Sequence, residues 1–455
     1  MKRFINTLKN IWAIKELRNR ILYTLLLLLV FRVGSFIVLP GVASGVLTDV
    51  ANSRSANDLL GLINIFTGGA FNQASIMALG IMPYITASII IQVLGFAVPY
   101  FQRLQQKEGE SGRKKLNQIT RVLTVAITLV QGGAYLTYLK GIGAISPQVS
   151  LAIFWGANIL ILTTGTIFAM WLGEKITDKG IGNGVSILIM VGILSRLPQA
   201  LGFEFTAQMA SGGLIMFILE LAAMFVVTMF TILVVQGVRK IPLQFPKKAI
   251  GGGSMAAGNR DYIPIKVNGS GVMPIIFAQA LMFLPAIVAQ YLVGTEDTGT
   301  ATHSIIRALN DNYSFSYNLI YFILIIVFTY IYTALLINPQ QYAEYLKRSN
   351  AYIPGVKPGK DTEDYIDAIT SKITFPGSIV LGIIAVLPAI AVQFGVNPSF
   401  ALYFGGTSLL INVAVILDTL TQIESHLLMR KYDGLVASGK LQGRGSGGIQ
   451  IGSYY

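Results

Sequence analysis

Residues 213–236 read GLIMFILELAAMFVVTMFTILVVQ, an apolar run in which Glu220 is the single charge. About 20 apolar residues are enough to cross the hydrocarbon core of a bilayer as an α-helix. Similar runs recur along the 455-residue chain, which is 53% hydrophobic and 12% charged. A soluble protein carries about twice that charge. The alternating pattern of a membrane β-barrel is absent, so the sequence predicts an all-α membrane protein.

The chain lacks the residues that most metal centres and covalent catalysts use. It has no cysteine, which excludes disulfides, thiolate metal sites and cysteine nucleophiles. Its two histidines, His303 and His426, are too few and too far apart for a histidine-based metal site. No nucleophile–base pair stands out either. We therefore expect no catalytic residue, no metal and no cofactor.

Ten apolar segments are long enough to span a membrane. We predict spans at 21–39, 74–96, 122–139, 151–172, 184–201, 213–236, 271–293, 318–337, 374–394 and 400–423. With this topology, 29 of the 34 Lys and Arg residues fall on one side. Positive charges collect on the cytoplasmic side, so both ends of the chain are predicted to be cytoplasmic. No small-residue cleavage site follows the first span, which we expect to be retained.

The spans divide into two halves of five, at 21–201 and 202–423. A cytoplasmic amphipathic N-terminus precedes them at 1–20, and a cytoplasmic tail follows at 424–455. Two cytoplasmic loops, 237–268 and 338–373, exceed thirty residues. Lipid headgroup contact explains their charge but not their length. We therefore favour loops that dock a partner.

One short motif occurs at the corresponding position of each half. Span 2 contains GIMPYI at residues 80–85, and span 7 begins with GVMPII at 271–276. Because each half has an odd number of spans, the halves must be inverted in the membrane, and such repeats work at their interface. Gly and Pro weaken a helix, so each helix is expected to begin or bend at the motif. The aliphatic pairs just inside it either pack in an ordinary core or surround a hydrophobic constriction.

Residues 57–70 form an apolar segment that is too short to span. It is either a helix lying on the outer surface or a segment folded back into the protein, where irregular backbone is tolerated if it is buried. The turn at 180–184, GIGNG, is predicted to be a tight cytoplasmic turn rather than a phosphate loop, because no strand precedes it and no lysine follows.

Arg32, Glu220 and Asp418 lie within predicted spans, where a charge is costly. Arg32 is expected to snorkel or to meet a backbone carbonyl. Glu220 and Asp418 are the coupling candidates of an alternative function, an ion-coupled solute transporter with inverted repeats. Neither has a second carboxylate one helical turn away, so we favour structural pairing or an interfacial position for both.

The motifs of this chain resemble those of the SecY family, the channel subunits of the general protein-secretion translocase. The matching segments are residues 31–36 (FRVGSF), 78–85 (ALGIMPYI), 107–113 (KEGESGR), 171–174 (WLGE), 180–184 (GIGNG), 354–359 (PGVKPG) and 403–411 (YFGGTSLLI). They run in the same order along nearly the whole chain. The resemblance implies ten transmembrane helices in two inverted five-helix halves around an hourglass-shaped pore.

The resemblance also implies a role for four sets of residues. The hydrophobic pore ring falls on Ile81, Ile85, Val185, Ile189, Ile276 and Ile411. A short re-entrant plug helix, about 57–70, falls on Leu59, Leu60, Leu62, Ile63, Ile65 and Phe66. The lateral gate between spans 2 and 7 falls on Thr86, Ser88, Gln92, Phe277 and Gln279. The docking surface for a motor or ribosome falls on Arg239, Lys240, Lys247, Lys248, Lys347, Arg348 and Lys357.

The function implied is a passive, gated channel in the plasma (inner) membrane of a bacterium. It would pass unfolded secretory polypeptides and release membrane-protein helices sideways into lipid. The implied partners are the small membrane subunits SecE and SecG, the SecA motor ATPase, the ribosome, signal sequences and anionic lipids. One departure lies at Lys357, where the family usually has arginine, because lysine keeps the charge but not the planar fork.

Overall fold

The computed structural model describes residues 12, 14–43, 64, 66–106, 109–146, 150–210, 213–245, 260–279, 281–282 and 313–437. Within these residues the fold is mostly helical. The first half contains α1 (Lys15–Gly34), α2 (Met82–Ala97), α3 (Pro99–Gln106), α4 (Gly109–Gly141), α5 (Leu151–Lys179) and α6 (Gly184–Ala210). The second contains α7 (Leu214–Gln236), strands β1 (Val238–Gln244) and β2 (Arg260–Lys266), α8 (273–279), α9 (Phe315–Leu336), α10 (Pro339–Arg348), α11 (Lys360–Gln393), α12 (Pro398–Ala401) and α13 (Gly406–Ala437).

Seven helices of the described residues are long and apolar enough to cross a membrane. They correspond to predicted spans 3, 4, 5, 6, 8, 9 and 10. An eighth is added if α2 and α3, bent by 103°, form one broken span. The all-α multi-pass membrane fold is thus confirmed. The number ten stays a prediction, since the described part of span 7 stops at residue 282 and α1 does not meet the same criterion.

The repeated motif produces the same backbone in both halves. Gly80 and Gly271 have positive φ values of 52° and 66°, a conformation that glycine adopts without strain. Each N–H bonds the carbonyl oxygen three residues earlier, and a helix begins two residues later, at Met82 and at residue 273. The expectation that the helices begin at the motif is therefore confirmed.

A second contact repeats with the motif. A Cβ on Gly165 of α5 would lie 2.1 Å from the carbonyl oxygen of Ile76, four residues before Gly80. A Cβ on Gly377 of α11 would lie 2.8 Å from that of Val267, four residues before Gly271. In each half, a glycine of the fourth predicted span thus leaves room for the backbone that leads into the second predicted span. This repetition supports the inverted-repeat arrangement.

The two long loops, 237–268 and 338–373, form one structural unit. Strands β1 and β2 pair antiparallel, with Arg239 opposite Ile265 and Ile241 opposite Ile263. The backbones of Gln244 and Tyr352 exchange two hydrogen bonds of 2.9 and 3.0 Å. A separate apolar core then joins the hairpin to α10 and α11 through Ile241, Leu243, Ile265, Leu346, Ala351, Ile353 and Ile366. We call this unit the platform.

Several helices extend beyond the predicted spans. α4 begins at Gly109 and α11 at Lys360, each more than ten residues before the predicted span. α6 continues to Ala210, nine residues past the predicted end of span 5, and α7 begins at Leu214. Residues 211–213 separate α6 from α7, and the division into halves at 201/202 stays a prediction. The turn predicted at 180–184 is confirmed, because α5 ends at Lys179 and α6 begins at Gly184.

Candidate functional site

The six predicted ring residues lie in one apolar cluster, contributed by the two copies of the motif and by α6 and α13. Ile81, Ile189 and Ile411 are among its buried members. Ile85, Val185 and Ile276 are partly buried and pack against it. Such a cluster can close around a passing chain of any sequence, because apolar contact is non-directional.

The motif explains how two separate segments reach this cluster. The N–H of Ile85 bonds the carbonyl of Ile81 at 3.1 Å, and the N–H of Ile276 bonds that of Val272 at 3.3 Å. Each pair is thus one helical turn apart and lies on one face. Val272 also packs against the cluster. The inverted halves therefore present equivalent aliphatic pairs to the same place.

The end of the predicted plug segment packs against the cluster that holds the predicted ring residues. Phe66 is 9% exposed and belongs to the same cluster as Ile81, Ile189 and Ile411. The N–H of Gly69 bonds the carbonyl of Asn64 at 2.8 Å, as in a common helix-ending motif. The other plug residues that the resemblance implied, Leu59, Leu60, Leu62, Ile63 and Ile65, lie outside the described residues.

Two arginines contact the plug end. Arg32 Nη1 of α1 donates to the carbonyl oxygen of Gly68 at 3.1 Å. The expectation that Arg32 meets a backbone carbonyl is thus confirmed. The Arg196 guanidinium of α6 lies so close to Gly69 that a Cβ there would be 1.9 Å from its Nη2. The sequence does not predict this contact of Arg196, because nothing in it relates residue 196 to residue 69.

The predicted gate residues lie mostly along one seam between α2 and α8–α9. Phe277 of α8, Ile89 of α2 and Tyr332 of α9 form a buried apolar cluster. The Phe277 ring centroid lies 5.3 Å from that of Tyr332 and 5.7 Å from that of Phe328. The Tyr332 hydroxyl donates to Gln92 Oε1, which gives the seam a polar contact across it.

The remaining gate residues have local partners. Gln92 Nε2 donates to Ser88 Oγ at 3.1 Å, and Thr86 Oγ1 donates to the Met82 carbonyl at 3.1 Å within α2. Gln279 is buried and lines a cavity with polar groups of α9 and α13, including Asn318 and Thr407. The structure therefore brings Ser88, Gln92 and Phe277 together near the seam, whereas Gln279 faces this cavity.

Three hydrogen bonds join the halves on a second interface, between α6 and the α12–α13 region. They are Gly182 N–H to Gln422 Oε1 at 2.8 Å, the Tyr403 hydroxyl to the Ile193 carbonyl at 3.0 Å, and Asn397 N–H to Glu204 Oε2 at 3.0 Å. They are distributed from one end of α6 to the other. This interface thus has polar contacts along its length, and we call it the hinge interface.

The described docking residues lie on the platform surface. Arg239 and Lys240 are exposed on β1, and Lys347, Arg348 and Lys357 are exposed on α10 and the following loop. Lys240 Nζ lies 4.7 Å from the Tyr262 ring centroid, a cation–π contact. The other two predicted docking residues, Lys247 and Lys248, lie outside the described residues.

The intramembrane carboxylates differ in environment. Asp418 of α13 is exposed, whereas Glu220 of α7 is 3% exposed. Gln208 Nε2 donates to Glu220 Oε1 at 3.1 Å and to Glu204 Oε1 at 2.9 Å. Sequence reasoning missed Glu204 because it placed 202–212 in a loop. The four-residue spacing of Glu204 and Gln208 was the available signal for a shared helix face. The part of the chain that the structure describes holds no cluster of potential metal ligands.

Comparison with known proteins identifies the family. The SecY family model matches residues 75–420. The SecY translocase subunit of Chlamydia muridarum is 36% identical, with 96% of this chain and 99% of that one covered. That of Halalkalibacterium halodurans is 39% identical, with 94% and 99% covered, and that of Streptomyces scabiei is 40% identical, with 92% and 97% covered.

Solved structures show the same fold. A structure described as a protein conducting channel has a TM-score of 0.60 at 18% identity, covering 89% of this chain and 91% of that one. A channel in the canine ribosome-channel complex from the endoplasmic reticulum has the same TM-score and coverage at 17% identity. The yeast Ssh1 complex bound to the 80S ribosome has a TM-score of 0.55 at 14% identity, covering 88% and 89%. The chain belongs to the SecY family of protein translocase channel subunits.

Proposed function

We propose that the chain passes unfolded secretory polypeptides through the ring and releases the helices of membrane proteins sideways into lipid. The observation that carries this proposal is the cluster of Ile81, Ile189 and Ile411 with Phe66. Four separate parts of the chain supply aliphatic side chains to this one point, and the plug end packs against them. A bound motor or ribosome would supply the energy, as the family resemblance implies.

The alternative, an ion-coupled solute transporter, has no support among the relatives, which are translocase subunits. It requires an intramembrane carboxylate on the transport path. Glu220 instead accepts from Gln208, which also donates to Glu204, and it is not a member of the ring cluster. Asp418 lies in α13 one turn before Gln422, which binds the turn at 180–184.

The seam is the proposed lateral gate. Ile89, Phe277 and Tyr332 seal it by apolar packing, with the Tyr332–Gln92 contact beside them. The hinge interface carries three hydrogen bonds between the halves along α6. Separation at the seam with rotation about the hinge interface would open a path from the ring to lipid.

A crosslink across the seam tests the gate. The chain has no cysteine, so Ile89→Cys with Phe277→Cys can be joined by a short thiol crosslinker without side reactions. We expect the joined channel to lose release of membrane-protein helices into lipid, with recovery when the linker is cleaved. The measurement is insertion of a reporter helix into proteoliposomes that contain the complex.

The matched control joins two helices of the same half. A Cβ on Gly132 of α4 would lie 3.7 Å from Leu162 Cδ1 of α5, so Gly132→Cys with Leu162→Cys can be joined in the same way. This crosslink should leave insertion unchanged, because α4 and α5 are expected to move together. Normal insertion by the joined seam variant would exclude the seam as the exit.

The platform is the proposed landing surface for the SecA motor or the translating ribosome. Arg239, Lys240, Lys347, Arg348 and Lys357 are exposed on one folded unit, and exposed positive charge attracts acidic proteins and nucleic acid. Two of the similar structures are ribosome-bound complexes, which supports the ribosome as a partner. SecE, SecG and anionic lipids are the further proposed contacts of the membrane-facing surface.

The proposed location is the plasma membrane of a bacterium, with both termini cytoplasmic. The relatives that cover most of this chain are bacterial. The excess of Lys and Arg on one side supports the orientation. The proposed halves are 21–201 and 202–423, and residues 211–213 separate α6 from α7.

A further inference from the structure

Two buried carboxyl groups meet at the junction between the halves. Glu204 lies in the last two turns of α6 and is 1% exposed, and Glu220 lies in the second turn of α7 and is 3% exposed. Gln208 donates to one oxygen of each, at 2.9 and 3.1 Å. The two carboxyl groups therefore lie next to each other around one donor nitrogen. A single carboxamide N–H₂ group is thus shared by two buried acids.

One oxygen of this pair has no donor. Glu220 Oε2 is buried and makes no hydrogen bond. The neighbouring groups are the Glu204 carboxyl and the Gln208 carboxamide, whose nitrogen already donates to the other oxygen of Glu220. A buried acceptor without a donor is destabilising, and more so if it is charged. Two ionised carboxylates in contact add like-charge repulsion, which is strong where water is excluded.

No positive charge compensates the pair within the described residues. Glu220 is the one charged residue of α7, and the end of α11, the following turn and α12 contain none. On α6, Arg196 lies two turns before Glu204 and donates to Gln199 at 2.8 Å. The nearby Tyr403 hydroxyl donates to the Ile193 carbonyl. None of the described ion pairs involves Glu204 or Glu220.

We propose that Glu204 and Glu220 form a proton-binding site that holds one proton between them at neutral pH. This proton lies between the two groups, so that Glu220 Oε2 takes part in a hydrogen bond. It also removes one of the two negative charges. Glu204 meanwhile accepts from Gln208 and from the N–H of Asn397. A shared proton is the known solution for two carboxyl groups that cannot both ionise.

This proton site stabilises the junction. It links α6 to α7 directly, and it links α6 to the turn before α12 through Asn397, whose side chain caps that helix. It lies at the end of α7 opposite the platform, because α7 runs from Leu214 to the start of β1. Loss of the proton places two negative charges in contact and loosens this end of the hinge interface.

Infrared spectroscopy of the purified complex in nanodiscs tests the proposal directly. A protonated carboxyl group has a C=O stretching band that carboxylates and amides lack. Free glutamate is ionised at neutral pH, so we expect a residual band at pH 7 that disappears on titration to alkaline pH. The band should be lost in Glu220→Gln and in Glu204→Gln. Asp418→Asn is the matched control and should retain it.

Stability gives the second readout. The folded state holds a proton that the unfolded chain has released, so the melting temperature should fall as the pH rises through the titration of the band. Glu220→Gln replaces the carboxyl group by an uncharged amide that still donates a hydrogen bond. The melting temperature of this variant should therefore depend less on pH. Absence of the band in the unmodified complex at pH 7, or its persistence in both glutamine variants, would overturn the proposal. The unmodified complex gives that answer even if a variant fails to fold.

Discussion

Replacement of Ile81, Ile189 and Ile411 by Asn is expected to make the resting channel leak ions. These three side chains are 3–5% exposed and form the buried centre of the ring cluster. An amide without a partner costs about 1–3 kcal/mol when buried, so each Asn favours a hydrated state of the constriction. Since about 1.4 kcal/mol is tenfold in an equilibrium, the leak should rise at least about tenfold.

The measurement is ion flux through proteoliposomes that contain the complex without substrate. Replacement of the same three residues by Val is the control, because it keeps an apolar constriction with a slightly smaller volume. The Val variant should leak far less than the Asn variant. If the Asn variant leaked no more than the unmodified channel while secretion stayed intact, these residues would not form the ring.

Replacement of Gly192 by Leu is expected to displace the plug end. Gly192 lies in α6 against the plug end, and a Cβ there would be 2.6 Å from the Phe66 carbonyl oxygen and 3.3 Å from the Gly68 nitrogen. Since backbone cannot yield as a flexible side chain can, the added side chain must push residues 66–68 away. This separates Phe66 from the ring and breaks the Arg32–Gly68 hydrogen bond.

The consequence is a resting leak comparable to that of the Asn ring variant, measured by the same flux assay. Gly202 offers a matched control in the same helix, because a Cβ there would have no atom within 4 Å. Gly202→Leu should remain closed. If Gly192→Leu also remained closed, the plug end would not contribute to the seal.

The membrane fold could be predicted from the sequence because lipid imposes simple rules. Runs such as 213–236 and the one-sided Lys and Arg residues follow from hydrophobic length and charge placement. Local chemistry also predicted the helix starts after Gly80 and Gly271 and the contact of Arg32 with a carbonyl group. The ring residues came from the family resemblance, and the structure places all six in one cluster.

The platform hairpin could not be predicted with the same rules. Ile241 and Leu243 alternate on β1 and Ile263 and Ile265 on β2, which is a strand pattern. Each strand also contains a proline, at 242 and 264, which argues against a central strand. A two-stranded hairpin consists only of edge strands, so these prolines are tolerated. The contact between the two loops joins residues about a hundred positions apart and left no local signal.

The Glu204–Glu220 site and the Arg196 contact were missed for a related reason. Each depends on the direction in which one helix approaches another segment, and spacing along the chain does not encode that direction. The hydropathy of 202–212 falls near Glu204, which made a helical residue look like part of a loop. In the folded protein the Glu204 carboxylate finds a hydrogen-bond partner outside its own helix, the N–H of Asn397, and the helix continues past it.

The central proposal for this chain is that a polypeptide passes through the ring. The most direct measurement places a photoreactive amino acid at Ile411 or at Ile189 and arrests a secretory chain during translocation. A crosslink to the arrested chain is expected at both positions, and none at Ile215, which is 83% exposed on α7, away from the cluster. Crosslinks at Ile215 but not at the ring residues would contradict the account.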